Sequence, residues 1–227
     1  IYGLFGPTGS FKTGLAVQLM CGTAKSDYVR KMFDPSYQRG QIIYFAYECS
    51  REEILMRALS CAAEIPYERM KEIIYRRVVP NVAPRSEPYE DLIDVELRDR
   101  SERQRIDFAV EVLSGVSIQG MGASNDDVHG RGHVPELAGC VENVRRQTGA
   151  PILGVYIDYA KLMARRYCWS NSIHQDRYRG ILSQLPDLLR AEVGERYKTP
   201  VVLLQQLDNE ANQAKACRPM HHSFSSE

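Results

Sequence analysis

An α/β fold, with a mostly parallel central sheet and helices on both faces, is predicted by three observations. Short apolar runs recur at 1–5, 42–46, 152–159 and 200–204 without the apolar–polar alternation of a half-exposed strand, as expected where both faces of a strand are buried. Segments of helical periodicity separate these runs, and parallel neighbours need such crossovers. The first run passes directly into an amphipathic stretch through a turn containing Gly6 and Gly9.

The elements follow in order. Ile1-Tyr2-Gly3-Leu4-Phe5 predicts a buried strand, and Leu15 to Met20 the helix after it. A polar stretch from Lys25 to Gly40 carries turn signals at Asp34-Pro35 and Arg39-Gly40. Ile42 to Ala46 is the second strand. Ser50 can cap the next helix, with Glu53 completing a capping box, and Ile54, Ala58, Cys61 and Ile65 recur at helical spacing. Residues 80–105, rich in Pro and charge, predict an irregular insertion. Ile106 to Leu113 is helical in pattern, and Val116 to Ile118 a short strand. Residues 119–133, rich in Gly, Asn and Asp, predict a second irregular insertion. Val134 to Thr148 reads as a helix with Gly149 just past its end. Ile152 to Tyr159 is the third clear strand. Ile181, Leu185, Leu188, Leu189 and Val193 mark a further helix that Pro186 starts or kinks, and Pro200 to Leu204 is the fourth clear strand.

Bulk properties narrow the function classes. The 227 residues suit one domain spanning 1–227. The abrupt limits at Ile1 and Glu227 lead us to expect a piece of something longer, truncated at both ends. Basic and acidic residues balance at 29 each, so nucleic-acid contact must rest on a local patch. No apolar run is long enough for a membrane span and no signal peptide is visible, so no membrane partner is expected. Six scattered cysteines without a C-x-x-C pair argue against zinc and a disulfide framework. They fit a reducing, cytoplasmic interior.

The segment Gly6-Pro7-Thr8-Gly9-Ser10-Phe11-Lys12-Thr13 fits the phosphate-binding pattern G-x-x-x-x-G-K-S/T, with Phe11 in place of the second Gly. Free backbone N–H groups of such a loop and of the helix it opens face phosphates. Gly6, Gly9, Ser10, Phe11, Lys12, Thr13 and Gly14 are therefore the candidate ATP-binding residues. Lys12 is aimed at the β- and γ-phosphates, and the Thr13 hydroxyl at Mg²⁺. Phe11 adds a Cβ and a ring, so it is expected in an allowed backbone region, pointing away from the nucleotide. In a parallel sheet, ligands sit beyond the carboxyl ends of the strands. Three polar residues fall there. Asp158 closes an apolar strand and is the candidate Mg²⁺ carboxylate. Glu48 is the candidate base for an attacking water. Gln206 is the candidate γ-phosphate sensor.

With these residues in hand, the chain resembles the DnaB-type replicative helicases. Tyr47-Glu48-Cys49-Ser50, with Glu53, Leu55, Met56, Arg57 and Leu59, is similar to that family's "LEMS…MR.L" segment. Ile157 to Met163 resembles "IDYLQLM", and Pro200 to Asp208 resembles "PVVALSQLN". Arg218-Pro219 matches an "RP" before a DNA-binding loop. The resemblance spans nearly the whole chain. It implies a RecA-like P-loop NTPase fold and ATP hydrolysis with Mg²⁺. Lys12, Glu48 and Gln206 would then be catalytic, and Thr13 and Asp158 would serve the metal. It also implies a homo-oligomer, a hexameric ring on single-stranded DNA. A neighbouring subunit would supply an arginine finger, and a helicase loader or primase would be a partner. Phe11 departs from the family pattern, as does Asp208-Asn209 where the family often has Asn-Arg. A RadA- or KaiC-like ATPase, or a nucleotide-gated assembly module with slow turnover, is the alternative.

For single-stranded DNA the best local group is Lys215, Arg218, His221 and His222. Arg165-Arg166 with Tyr167 and Trp169 reads better as a solvated loop or subunit contact. His129 and His133 read better as part of a Gly-rich loop than as a metal pair.

Overall fold

The computed structural model describes residues 1–6, 11–78, 100–120, 134–158 and 183–206. Five strands lie among them: β1 (Tyr2–Gly6), β2 (Gln41–Ala46), β3 (Val116–Gly120), β4 (Ile152–Asp158) and β5 (Val201–Gln206). They form one sheet in the order β1-β5-β4-β2-β3, and every neighbouring pair is parallel. The helices are α1 (Lys12–Phe33), α2 (Arg51–Ala63), α3 (Tyr67–Val78), α4 (Arg100–Leu113) and α5 (Val134–Thr148). A last helical segment, α6 (183–197), widens into a π-helical turn at Arg190–Glu195.

The apolar runs of the central strands feed two cores at once. Along β2, Ile42, Tyr44 and Ala46 join α1, α2 and α4 on one face. Ile43, Phe45 and Tyr47 join α5 and α6 on the other. Successive side chains of a strand point to opposite faces, so an uninterrupted apolar run is what a strand covered on both sides requires. The crossover directions match. The path β1→β2→β3 moves one way across the sheet with its helices on the first face, and β3→β4→β5 returns with α5 and α6 on the second. Right-handed crossovers demand this reversal of faces. A smaller cluster, Met56, Ala63, Ile65, Met70 and Ala109, ties α2 to α3 and α4.

Local chemistry sets several boundaries as predicted. The Ser50 hydroxyl accepts from Glu53 N at 3.1 Å and caps α2. Gly149, at φ 64°, ends α5, and its N–H donates to Arg145 O at 2.8 Å. Such a left-handed residue past a helix end is cheap only for Gly.

Elsewhere the structure corrects the prediction. Among the described residues β1 is an edge strand, and Tyr2 and Phe5 are exposed where the run predicted burial. α1 continues through Lys25 to Phe33, half of the stretch read as polar connection, because Ala24 and Asp27 are buried on its inner face. α2 stops at Ala63, and Ile65 lies beyond it in the turn before α3. Pro66, just ahead of Tyr67, is a helix-start signal that went unread. α4 begins at Arg100, inside the span 80–105 read as irregular, and its Glu102 carboxylate accepts from Arg69 of α3. β3 runs to Gly120, so Gln119 and Gly120 are strand and not insertion.

Candidate functional site

The carboxyl ends of β1, β5, β4 and β2 share one edge of the sheet. Register aligns them: Gly6 pairs with Gln206, and Asp158 pairs with both Leu204 and Ala46. β5 therefore lies between the strand that feeds the glycine loop and the strand that ends in Asp158. Gln206 is described in its backbone alone, as the last residue of β5. Glu48 follows β2 by two residues, on the short link to α2, with its side chain exposed.

The head of α1 meets this edge. Lys12, its first residue, donates from Nζ to Gly6 O at 2.9 Å. One residue on, Thr13 lies close enough to the Asp158 carboxylate for its hydroxyl to favour the charged form. No acidic residue lies in the first turn of α1, and Phe11 gives no side-chain cap. The positive end of a helix of 22 residues thus stays uncompensated by its own side chains, which suits an anion.

Asp158 is the most elaborated position. It is 2% exposed. Tyr44 Oη donates to its Oδ2 at 2.9 Å, and its own carbonyl accepts from Tyr47 N at 2.6 Å. Burial pushes the Asp158 carboxyl above the usual carboxylate range. The Thr13 and Tyr44 hydroxyls and the charges of Arg57 and Lys12 pull the other way. Burial, and then the Asp158 charge, hold the Tyr44 hydroxyl well above its ordinary value. Arg57 reaches this neighbourhood from α2, where it pairs with Glu53 and lies 5.9 Å from the Tyr67 ring centroid.

Phe11 takes a backbone region that is allowed but uncommon for a residue with a Cβ. It adopts φ 59°, ψ 24°, the left-handed region that the usual Gly would take at no cost. The ring is 70% exposed, and its edge covers Gly14 on the first turn of α1. It neither enters the core nor joins the contacts around Asp158.

Two contributors escaped the sequence reading. Tyr44 looked like one more core residue of β2. The available signal was a hydroxyl-bearing side chain two residues before the strand end, on the face Asp158 shares. Arg57 was visible within the family-like segment but had no assigned role. Gly9 and Ser10 lie outside the described residues, as do Lys215, Arg218, His221, His222, Arg165, Arg166, His129 and His133.

Among the described residues no group of three or more His, Cys, Asp or Glu is assembled. Magnesium is usually held by one or two carboxylates together with waters and substrate phosphates, and a buried Asp beside a Thr hydroxyl is such a partial set. No helix of the described residues is long and apolar enough to cross a membrane. No protein-family model matches the chain, and no curated protein matches it.

Proposed function

We propose that this chain is the ATP-hydrolysing core of a RecA-like P-loop enzyme, the motor of a ring-shaped helicase moving on single-stranded DNA. One observation carries the nucleotide reading: Lys12 and Thr13 at the head of α1 lie close to the buried Asp158 carboxylate, from a motif far away in sequence. A loop hydroxyl and a strand-end carboxylate must converge in this way to serve one metal–phosphate group. The strand order supports the same reading, since it brings the end of β5 between Gly6 and Asp158.

On this reading Lys12 exchanges the Gly6 carbonyl for phosphate oxygens, and the N–H groups at the head of α1 bind the same anion. Thr13 and Asp158 would hold Mg²⁺, Asp158 through water; when bound, the ion neutralises phosphate charge. Tyr44 keeps the Asp158 carboxylate in place. Glu48, exposed on its link, accepts the proton of a water in line with the γ-phosphate. Gln206 registers whether that phosphate is present. The DNA half of the proposal rests on the family-like segments, with Lys215, Arg218, His221 and His222 as the residues that would meet the strand.

The test is equilibrium binding of a fluorescent ATP analogue, with and without Mg²⁺. A lost charge-assisted hydrogen bond is worth about 1.5–3 kcal/mol, so Lys12→Ala should weaken binding by roughly ten- to a hundredfold. Asp158→Asn should abolish the gain from Mg²⁺. Wild-type affinity and Mg²⁺ response in both variants would overturn the nucleotide reading.

A further inference from the structure

Behind the strand-end site, α1 and α2 pack side by side through small residues, Ala24 on one and Ala58 and Ala62 on the other. Cys21 of α1 and Cys61 of α2 are neighbours across this seam, close enough for each thiol to bias the ionisation of the other. Cys21 is buried, and its Sγ also approaches Ala58 O at 3.6 Å, three residues before Cys61 on the same helix. One turn further along, Lys25 pairs with Glu64 at 3.3 Å, so the two helices meet in one continuous register. Cys61 is half-buried, within reach of a small solute.

We propose that Cys21 and Cys61 are an oxidisable dithiol, which a peroxide closes to a disulfide joining α1 to α2. The pair stands whatever ligand the strand-end site takes.

The chemistry divides between the two sulfurs. The neighbouring Cys21 thiol favours the Cys61 thiolate and outweighs burial and the charge of Glu64, with Lys25 adding to it, while Cys21 is kept protonated. The thiolate is the nucleophile. Cys61 S⁻ attacks the O–O bond of hydrogen peroxide, and the departing oxygen takes up a proton and leaves as water. Cys61 is then a sulfenic acid. The Cys21 sulfur attacks the Cys61 sulfur, the S–O bond breaks, and hydroxide leaves as water with the Cys21 proton. Two thiols lose two electrons and two protons, and one peroxide becomes two waters. A dithiol reductant reverses the change by exchange through a mixed disulfide. The bond would tie α1, which has Lys12 and Thr13 at its head, to α2, which follows Glu48.

The experiment is native treatment of the full chain with hydrogen peroxide, then thiol blocking and non-reducing peptide mapping. The expected result is a Cys21–Cys61 cross-linked peptide in monomeric chain, with two thiols lost per chain and restored by dithiothreitol. Cys140→Ser should behave like wild type. Cys21→Ser should leave Cys61 as a sulfenic acid that a dimedone probe captures, and Cys61→Ser should leave Cys21 unmodified. The proposal is overturned if wild-type Cys61 is oxidised without linking to Cys21, if Cys21 links to another cysteine, or if both resist peroxide while other thiols react. Because the wild-type map decides these outcomes, a variant that fails to fold does not remove the test.

Discussion

The Phe11 ring lies against the backbone of Gly14, so closely that a Cβ on Gly14 would stand 2.3 Å from Phe11 Cε1. The residue before α1 and the third residue of α1 are therefore coupled. Phe11 holds a left-handed backbone, which costs an L-residue roughly 1–2 kcal/mol, and its exposed ring recovers little of that by burial.

Phe11→Gly should accordingly stabilise the chain, by about 1 kcal/mol after allowing for the greater freedom of Gly when unfolded. Gly14→Ala should gain up to about 1 kcal/mol of helix propensity in the Phe11→Gly background. With Phe11 present it should gain less, because the ring must move aside. Urea unfolding of the four members of this double-mutant cycle measures the coupling, and additive effects would refute it.

Tyr44 supports a prediction about alkaline stability. Unfolded, its hydroxyl ionises near the ordinary 10.0; folded, burial and the Asp158 charge hold the proton far above that. Above pH 10 the unfolded chain therefore binds fewer protons, and stability falls as pH rises. Below that pH the contribution is fully present. One proton of difference is worth about 1.4 kcal/mol per pH unit. Tyr44→Phe should flatten this alkaline slope, although Tyr28 and Tyr37, also raised, keep part of it. At neutral pH the variant should lose about 1–2 kcal/mol, since Asp158 forfeits a donor. Urea midpoints across the alkaline range check both effects.

A third prediction concerns Asp27, which is buried midway along α1. It accepts from Tyr37 Oη at 2.9 Å, Arg39 Nε at 3.0 Å and Gly40 N at 3.1 Å. Arg39 also donates to Glu111 O, Val112 O and Ser114 Oγ. This knot ties α1, the entry to β2 and the end of α4 together. Asp27→Ala should cost about 3 kcal/mol, since it removes one partner of a buried ion pair. Tyr37→Phe should cost nearer 1 kcal/mol. Thermal unfolding of the two variants ranks them, and equal effects would mean that the ion pair is not the centre of the knot.

Catalysis and DNA use are tested through Glu48. If it is the base, Glu48→Gln should keep ATP affinity and lose roughly 10²–10⁴-fold in hydrolysis rate. In the wild type, single-stranded DNA should raise ATP turnover and bind more weakly as salt increases. Unchanged turnover in Glu48→Gln would remove the catalytic assignment. Absence of both DNA responses would remove the motor.

The sheet was legible because burial on both faces writes itself as unbroken apolar runs, as in Ile42 to Ala46 and Ile152 to Ile157. Helix limits were less legible where tertiary contacts set them. Asp27 and Ala24 extend α1 through a stretch that looks polar, and Arg69 holds Glu102 of α4 in a region dominated by charge. Of the candidate site, Lys12, Thr13 and Asp158 could be named because motif spacing and strand ends are local features. Tyr44 could not, because its role depends on β2 lying beside β4, and no local pattern states that adjacency.

Strand β2 has a consequence for the molecule's behaviour in time. It is hydrogen-bonded to β4 on one side and β3 on the other, and its residues plug alternately into both cores. No partial opening frees its amides without breaching at least one of those cores. In deuterated water β2 should therefore trade its protons only at the rate set by global unfolding, as should β4, which is likewise paired on both sides and shared by both cores. The edge strand β1 should trade its own far sooner. The segment leading to Glu48 thus hangs from the slowest part of the fold, while the glycine loop hangs from one of the fastest.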